Sequence, residues 1–417
     1  MARKMKDSGI EWIGEIPEGW SIARGKHILT LLQRAVFPTD GVITCFRDGE
    51  VTLRSNRRED GFTVSLKEIG YQGIEPGDLV VHGMDGFAGS IGISDSRGKS
   101  SPVLVVLDSS QDKKYLMYYL RSMAYNNVFL ALSTGIRVRS CDLKWNKLAD
   151  LLYLVPPIVE QHKLVSFLDE KCSEIDAMLS KTHASIEEYK KLKQAVITQA
   201  VTKGVRGERE MKDSGVEWIG EIPKEWDILN LVAHTSMLTP MRDRPENLDG
   251  PIPWIRIEDF DGKYISSSKA SLGVSKETVR SMNLKIYPVG TILCTSSCIM
   301  GKCAIVSREL VSNQRFIGII PDQNTCENFL YYLMLSNSER MNYLATGALQ
   351  AYLSRSSFEH LKVQFPSYQE QKEISDYLDT KCAEIDKLIA KKEQLVKELE
   401  SYKKSLIYEV VTGKREV

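Results

Sequence analysis

The sequence predicts an α+β protein. Two mixed α/β domains are separated by a long antiparallel two-helix coiled coil, and the whole forms a pseudo-two-fold internal repeat. Three observations predict this. Glu160-Gln161, Leu168-Asp169, Lys171-Cys172 and Glu174-Ile175-Asp176 return as Glu370-Gln371, Leu378-Asp379, Lys381-Cys382 and Glu384-Ile385-Asp386, each 210 positions on. The segment KDSGIEWIGEIPEGW at residues 6–20 returns as KDSGVEWIGEIPKEW at residues 212–226, 206 positions on. Each copy of the first repeat follows proline and runs into a long charged segment of helical period. Self-similarity at such a distance outranks any local pattern in deciding the fold. The boundaries read as 1–155 (first domain), 156–205 (first helix), 206–365 (second domain) and 366–417 (second helix).

Each half opens on the tryptophan-bearing segment. It holds an Ile-Pro turn and no ligand-like cluster, so it reads as a docking segment burying Trp12 and Trp20, or Trp218 and Trp226, against its domain. In the first domain, Gly49-Glu50-Val51-Thr52-Leu53, Gly77-Asp78-Leu79-Val80-Val81 and Val103-Leu104-Val105-Val106-Leu107 predict twisted β-structure, and residues 114–122 predict a helix. Gly83, Gly86, Gly89 and Gly92 read as turns and bulges. They lack the strand, helix and G-x-G spacing of a dinucleotide fingerprint.

The second domain repeats this grammar with different residues. Pro253-Trp254-Ile255-Arg256-Ile257 is strand-like. The strand at Leu79 parallels that at Ile292, Gly89 to Ile93 parallels Gly301 to Ile305, and Leu116 to Leu120 parallels Phe329 to Leu333. A shared scaffold with divergent decoration suits a protein that reads two different targets.

In the helical segments, Leu164, Leu168, Ile175, Leu179 and Ile186, then Ile374, Leu378, Ile385, Leu388 and Leu395, recur at threes and fours and predict the pairing and partner-docking face. About 45 residues per helix corresponds to ~65 Å. So narrow an apolar stripe needs a partner, and an antiparallel pairing within the chain supplies one, placing the domains at opposite ends. Asp176 to Tyr189 is 13 positions and Asp386 to Tyr402 is 16, which predicts a first helix three residues short.

Composition narrows the function. The 417 residues exceed a typical single domain, and 42% hydrophobic content supports real cores. No apolar run reaches the ~20 residues of a membrane span, and the N-terminus lacks the apolar core of a secretory signal, so a cytoplasmic location is expected. A net charge of zero excludes a uniformly basic surface, leaving nucleic-acid contact to local patches. The eight cysteines form no C-x-x-C pair and read as reduced thiols. Cys294, Cys298 and Cys303 cluster between apolar runs, and core thiols fit them better than a metal site, which would need a fourth ligand. Catalytic signatures are missing. Gly98-Lys99-Ser100 has no glycine at the distance a phosphate loop requires. Val155-Pro156-Pro157-Ile158 lacks the polar and aromatic flanks of an adenine methyltransferase site and reads as a helix start. The six histidines have no ligand spacing.

The two proline, Glu-Gln, Leu-Asp, Ile-Asp stretches, the tails Val201-Thr202-Lys203-Gly204 and Val411-Thr412-Gly413-Lys414, and the duplicated DSG-x-EWIGEIP segment occur together and in order. The chain thereby resembles the specificity subunit of a Type I restriction–modification system, over essentially its whole length. The resemblance implies two target-recognition domains, each reading one half of a split, asymmetric site in double-stranded DNA. It implies that the helices act as a ruler for the unread spacer and dock two modification subunits, with restriction (motor-nuclease) subunits joining for cleavage. It implies a chain without catalysis of its own, with S-adenosylmethionine, ATP and Mg bound only by partners, and no membrane association.

Base reading needs arginine, lysine, asparagine, glutamine or hydroxyl groups at base edges and phosphates. The candidates are Arg47, Arg54, Arg57 and Arg58 around a hairpin, and Arg137 and Arg139 on one strand face. In the second domain they are Arg256, Lys302, Asn313, Gln314, Arg315, Gln350, Ser354 and Arg355.

Overall fold

The computed structural model describes residues 3–57, 68–131, 143–240, 244–297, 301–345 and 352–417. The chain divides into two units, Met1–His183 with Gln394–Val417, and Ala184–Glu393. Each holds one mixed α/β domain and a stretch of both long helices.

The first domain is built on a four-stranded antiparallel sheet in the order Leu29–Leu31, Leu104–Ser109, Leu79–His82, Ile91–Ile93. Side chains alternate across a strand. Leu79, Val81, Ile91 and Leu107 therefore pack with the helix Lys113–Tyr125, while Val80, Leu104 and Val106 pack with the hairpin Ile43–Cys45/Val51–Leu53. Both faces are covered, which explains why these strands read as continuous apolar runs. The second unit builds the same sheet from Thr235–Leu238, Phe316–Pro321, Ile292–Thr295 and Cys303–Val306, and adds Tyr264–Ile265 as a parallel fifth strand. The turn into the central strand is conserved between the halves: Gly77 and Gly290 take φ of 88° and 86°, a left-handed conformation that favours glycine. Cys294 and Cys303 are directly opposed, buried thiols with Sγ atoms 3.0 Å apart, and Cys298 lies outside the described residues.

Nearly every polar residue of the repeats has a scaffolding task. Gln161 Nε2 donates to Pro156 O (2.8 Å), and its Oε1 accepts from the N–H of Asp112 (2.9 Å), the residue whose side chain caps the domain helix. Gln371 does the same with Pro366 O (3.0 Å) and the Cys326 N–H (2.8 Å). Asp169 accepts from the Tyr118 hydroxyl, and Asp379 from that of Tyr332. Glu160 pairs with Arg3 and Glu370 with Arg209, and each arginine lies over the neighbouring tryptophan, Trp20 or Trp226. These contacts place the domain helices 214 positions apart, so Tyr118 corresponds to Tyr332, one residue from the alignment of 116–120 with 329–333.

The long helices span Ile158–Lys203 and Tyr368–Val411, 46 and 44 residues. In the first unit the Tyr115 hydroxyl donates to both Leu154 O and Val411 O, while Lys403 pairs with Asp176. In the second, Gln364 donates to Val201 O and Lys193 pairs with Asp386. Rising numbers on one helix meet falling numbers on the other, which is an antiparallel coiled coil. Exposed pairs of this kind contribute at most ~1 kcal/mol, so they mark register more than they add strength.

Two expectations about the helices are corrected. Asp176 and Lys193 recur as Asp386 and Lys403, each 210 on, so neither helix is three residues short. Tyr189 and Tyr402 are not equivalent positions, and the helices differ only at their glycine ends, Gly204 and Gly413. Leu388 and Leu395 are 41% and 42% exposed and do not pair. A strict 3.5-residue repeat carries Leu378, Cys382, Ile385 and Val396 inward instead. Leu164, Leu168, Ile175, Ile186 and Ile374 are buried, and Leu179 is partly so. Trp20 and Trp226 are buried at 1%, Trp12 is partly buried, and Trp218, against expectation, is exposed. No helix among the described residues is long and apolar enough to cross a membrane.

Candidate nucleic-acid interface

In both domains the cationic candidates among the described residues gather beyond the C-terminal end of the same central strand. In the first domain this is the end of Leu79–His82. Arg47, Arg54, Arg57, Tyr71 and His82 line a concave basin of about 740 Å³ under the Ile43–Cys45/Val51–Leu53 hairpin. Arg47 reaches Asp85 at 3.1 Å with its side chain 61% exposed, and Arg54 Nε donates to Thr44 Oγ1 at 3.2 Å. Arg57 differs. It pairs with Asp48 (2.6 Å) and Glu50 (2.9 Å) and lies 4.2 Å over the Phe46 ring, so much of its charge is spent on the loop itself. The hydrogen bond to Asp48 holds its pKa above the ordinary arginine value.

The hairpin turn is fixed from beneath. Arg121, buried on the domain helix, donates from Nε to Ile91 O (2.8 Å) and from Nη2 to Asp48 O (2.6 Å). Gly49 has φ of 88°, and a Cβ there would lie 1.1 Å from Arg121 Nη2. Gly49→Ala is therefore expected to lower stability by about 1–3 kcal/mol through strain and displacement of Arg121. A thermal melt with an unchanged midpoint would contradict this.

His82 escaped the sequence reading, although its place at a strand end before Gly83 was legible. Its Nδ1 accepts from the N–H groups of Met84 (3.3 Å) and Asp85 (3.0 Å), so the imidazole is neutral with its proton on Nε2. Burial lowers its pKa. The turn it holds is therefore intact above the ordinary histidine value of ~6.5 and weakens as pH falls below it.

In the second domain, backbone pairing brings scattered candidates onto one rim at the end of Ile292–Thr295. Thr295 N donates to Lys302 O (2.9 Å), Ser296 N to Arg315 O (2.8 Å), and Leu353 N to Ser296 O (2.9 Å). Ile255 pairs with Ser312, which sets Arg256 beside Asn313. Lys302, Gln314 and Arg315 are exposed. Asn313 Oδ1 accepts from Arg315 N, fixing the turn. Arg256 reaches Glu258 (3.0 Å), and Arg355 reaches Glu359 (2.6 Å) within a short helix. Ser354 caps that helix, its Oγ accepting from Ser357 N (3.1 Å), which already occupies its hydroxyl. Tyr352, 49% exposed and bridged to Ser297, joins the rim, and the sequence reading missed it. Arg58, Arg137, Arg139 and Gln350 lie outside the described residues.

Both rims offer cations, hydroxyls and an aromatic ring, and the second adds the amides of Asn313 and Gln314, the groups that contact phosphates and base edges. Among the described residues no group of three His, Cys, Asp or Glu side chains is placed to hold a metal ion.

Comparison with known proteins agrees with this architecture. The family described as Type I restriction modification DNA specificity domain matches residues 227–398. The Type I restriction enzyme MjaIX specificity subunit of Methanocaldococcus jannaschii is 34% identical over 181 residues, 42% of this chain and 41% of that protein. The putative MjaX specificity subunit of the same organism is 24% identical over 96% of this chain and 95% of its own length. Among solved structures, a chain from work on assembly and conformational transition of the type I R-M system aligns with a TM-score of 0.74 at 12% identity, covering 96% of this chain and 99% of that one. The HsdS subunit of Thermoanaerobacter tengcongensis aligns at 0.52 and 13% identity, covering 98% and 100%. At these identities the solved structures speak for the fold, and the sequence matches speak for the family. Residues 227–398 thus match the Type I specificity domain, and the chain is similar over nearly its whole length to a Type I restriction–modification specificity subunit.

Proposed function

We propose that this chain is the non-catalytic DNA-reading subunit of a Type I restriction–modification complex, each domain reading one half of a split, asymmetric duplex site. One observation carries the reading: equivalent strand ends in two equivalent domains bear rims of arginine, lysine and polar side chains assembled from non-equivalent residues. A shared frame with different reading surfaces is what two different half-sites require. In the first domain the contacts fall to Arg47 and Arg54, with His82 offering Nε2–H. In the second they fall to Lys302, Arg315, Gln314 and Arg256. The long helices dock two modification subunits, and restriction subunits join that core. S-adenosylmethionine, ATP and Mg act in those partners.

The test is to map methylated adenines genome-wide with and without this gene, and to footprint the purified chain with its modification subunits. A split protected site whose methylation vanishes with the gene is expected. Methylation by the purified chain alone would overturn the non-catalytic reading. A partner complex without any footprint would leave a protein-binding scaffold.

A further inference from the structure

The two halves are most alike in their leading segments, yet one corresponding position differs sharply. In the first unit, Trp12 sits between two tyrosines. The ring centroids of Tyr119 and Tyr408 lie 6.0 and 6.1 Å from it, and the Tyr408 hydroxyl donates to Trp12 O at 3.0 Å. The second unit places Trp218 at the equivalent position. The residue corresponding to Tyr119 is Leu333, and the residue corresponding to Tyr408 is Thr198. With both rings gone, Trp218 is 43% exposed. An open depression of about 620 Å³, lined by Lys191, Gln194, Thr198, Lys203, Ile219 and Glu339, adjoins it.

A cation has taken up the open face. The Arg340 guanidinium lies 3.9 Å over the Trp218 ring and 5.0 Å from the ring of Tyr343, which is itself 79% exposed. Arg340 Nε is buried without a hydrogen-bond partner among the described residues. Lys191 and Lys203 on the rim against Glu339 leave the patch cationic. Tryptophan, tyrosine and arginine grouped around a depression are the residue types that dominate protein interfaces.

We propose that this patch is a docking site for an acidic segment of a modification subunit that seats an aromatic side chain beside Trp218, as Tyr408 is seated beside Trp12. The proposal rests on the assembly reading above. The chemistry selects the occupant. The cationic rim calls for carboxylates, and the side of Trp218 left open where Thr198 replaces the tyrosine of the first unit calls for an aromatic side chain. A DNA phosphate would satisfy Arg340 but would leave the Trp218 and Tyr343 rings in water.

The test measures binding of the purified modification subunit to the full chain by sedimentation, alongside duplex DNA binding. Arg340→Glu and Tyr343→Ala are each expected to weaken that association, Arg340→Glu by tenfold or more, and the exposed Tyr343→Ala is expected to do so with its melting midpoint unchanged. Thr198→Tyr, which restores the ring present in the first unit, is expected to close the site and also cost tenfold or more. If the wild-type chain does not bind the modification subunit, the assembly reading falls and takes the site with it. If the wild-type chain binds and all three variants bind equally well, the site alone falls. Loss of DNA affinity or of self-association in Arg340→Glu, with subunit binding intact, overturns the proposal in favour of that other occupant.

Discussion

Replacing Lys302 and Arg315 together by alanine is expected to destroy discrimination at the second half-site while leaving the first half-site read as before. These exposed cations flank the same strand end, opposite Thr295 and Ser296. A lost base contact typically costs about 1–3 kcal/mol, so each residue that reads a base accounts for a ten- to hundredfold fall in preference. Each one that holds a phosphate instead lowers affinity for all sequences and makes the salt dependence shallower by about one unit. Competition between duplexes altered in one half or the other, repeated at several salt concentrations, separates these effects. Affinity, preference and slope all equal to wild type would reject the rim. Ser354→Ala is the contrasting variant. Its hydroxyl caps a helix, so it is expected to cost ~1 kcal/mol of stability without changing half-site preference.

Gln161→Leu and Gln371→Leu are expected to be severe, each destabilising its unit by about 2–4 kcal/mol. Both glutamines are almost fully buried. Each holds a proline carbonyl with its amide N–H and, with its oxygen, the backbone N–H of the residue that precedes a domain helix. Leucine preserves volume but strands both backbone groups, and an unsatisfied buried group costs ~1–3 kcal/mol. Thermal or denaturant unfolding of the full chain checks this. Asp176→Ala, which removes an exposed ion pair with Lys403, is expected to cost under ~1 kcal/mol. If that surface variant proved as damaging as the glutamine variants, the assignment of the repeated Glu-Gln to the helix–domain junction would fail.

The repeated motifs were legible because their spacing is a covalent fact, and the physics behind them is local. Apolar residues at threes and fours predict the long helices, and glycine before apolar runs predicts the central strands. Leu388 and Leu395 show where that reasoning stops. A stripe read at threes and fours accepts residues one position off a 3.5-residue repeat, and only a facing helix decides between Leu388 and its neighbours. The supposed shortening of the first helix failed for a related reason. Equating Tyr189 with Tyr402 matched residue type, whereas the ion pairs at Asp176 and Asp386 match position.

By itself, then, the sequence determined the duplication, the two long helices, the alternation of domain and helix, and the resemblance to Type I specificity subunits. All of these reside in order and period along the chain. Tertiary structure alone decided which cations share a rim. Arg256, Lys302 and Arg315 are far apart in sequence and meet only through strand pairing. It likewise decided that Arg57 is tied to its own loop and that Ser354 is a cap, because hydrogen-bond partners are set by what the fold brings within about 3 Å. The exposure of Trp218 belongs to the same class. Its segment nearly repeats that of Trp12, and the difference lies far along the chain, where Leu333 and Thr198 stand at the positions of the two tyrosines that flank Trp12.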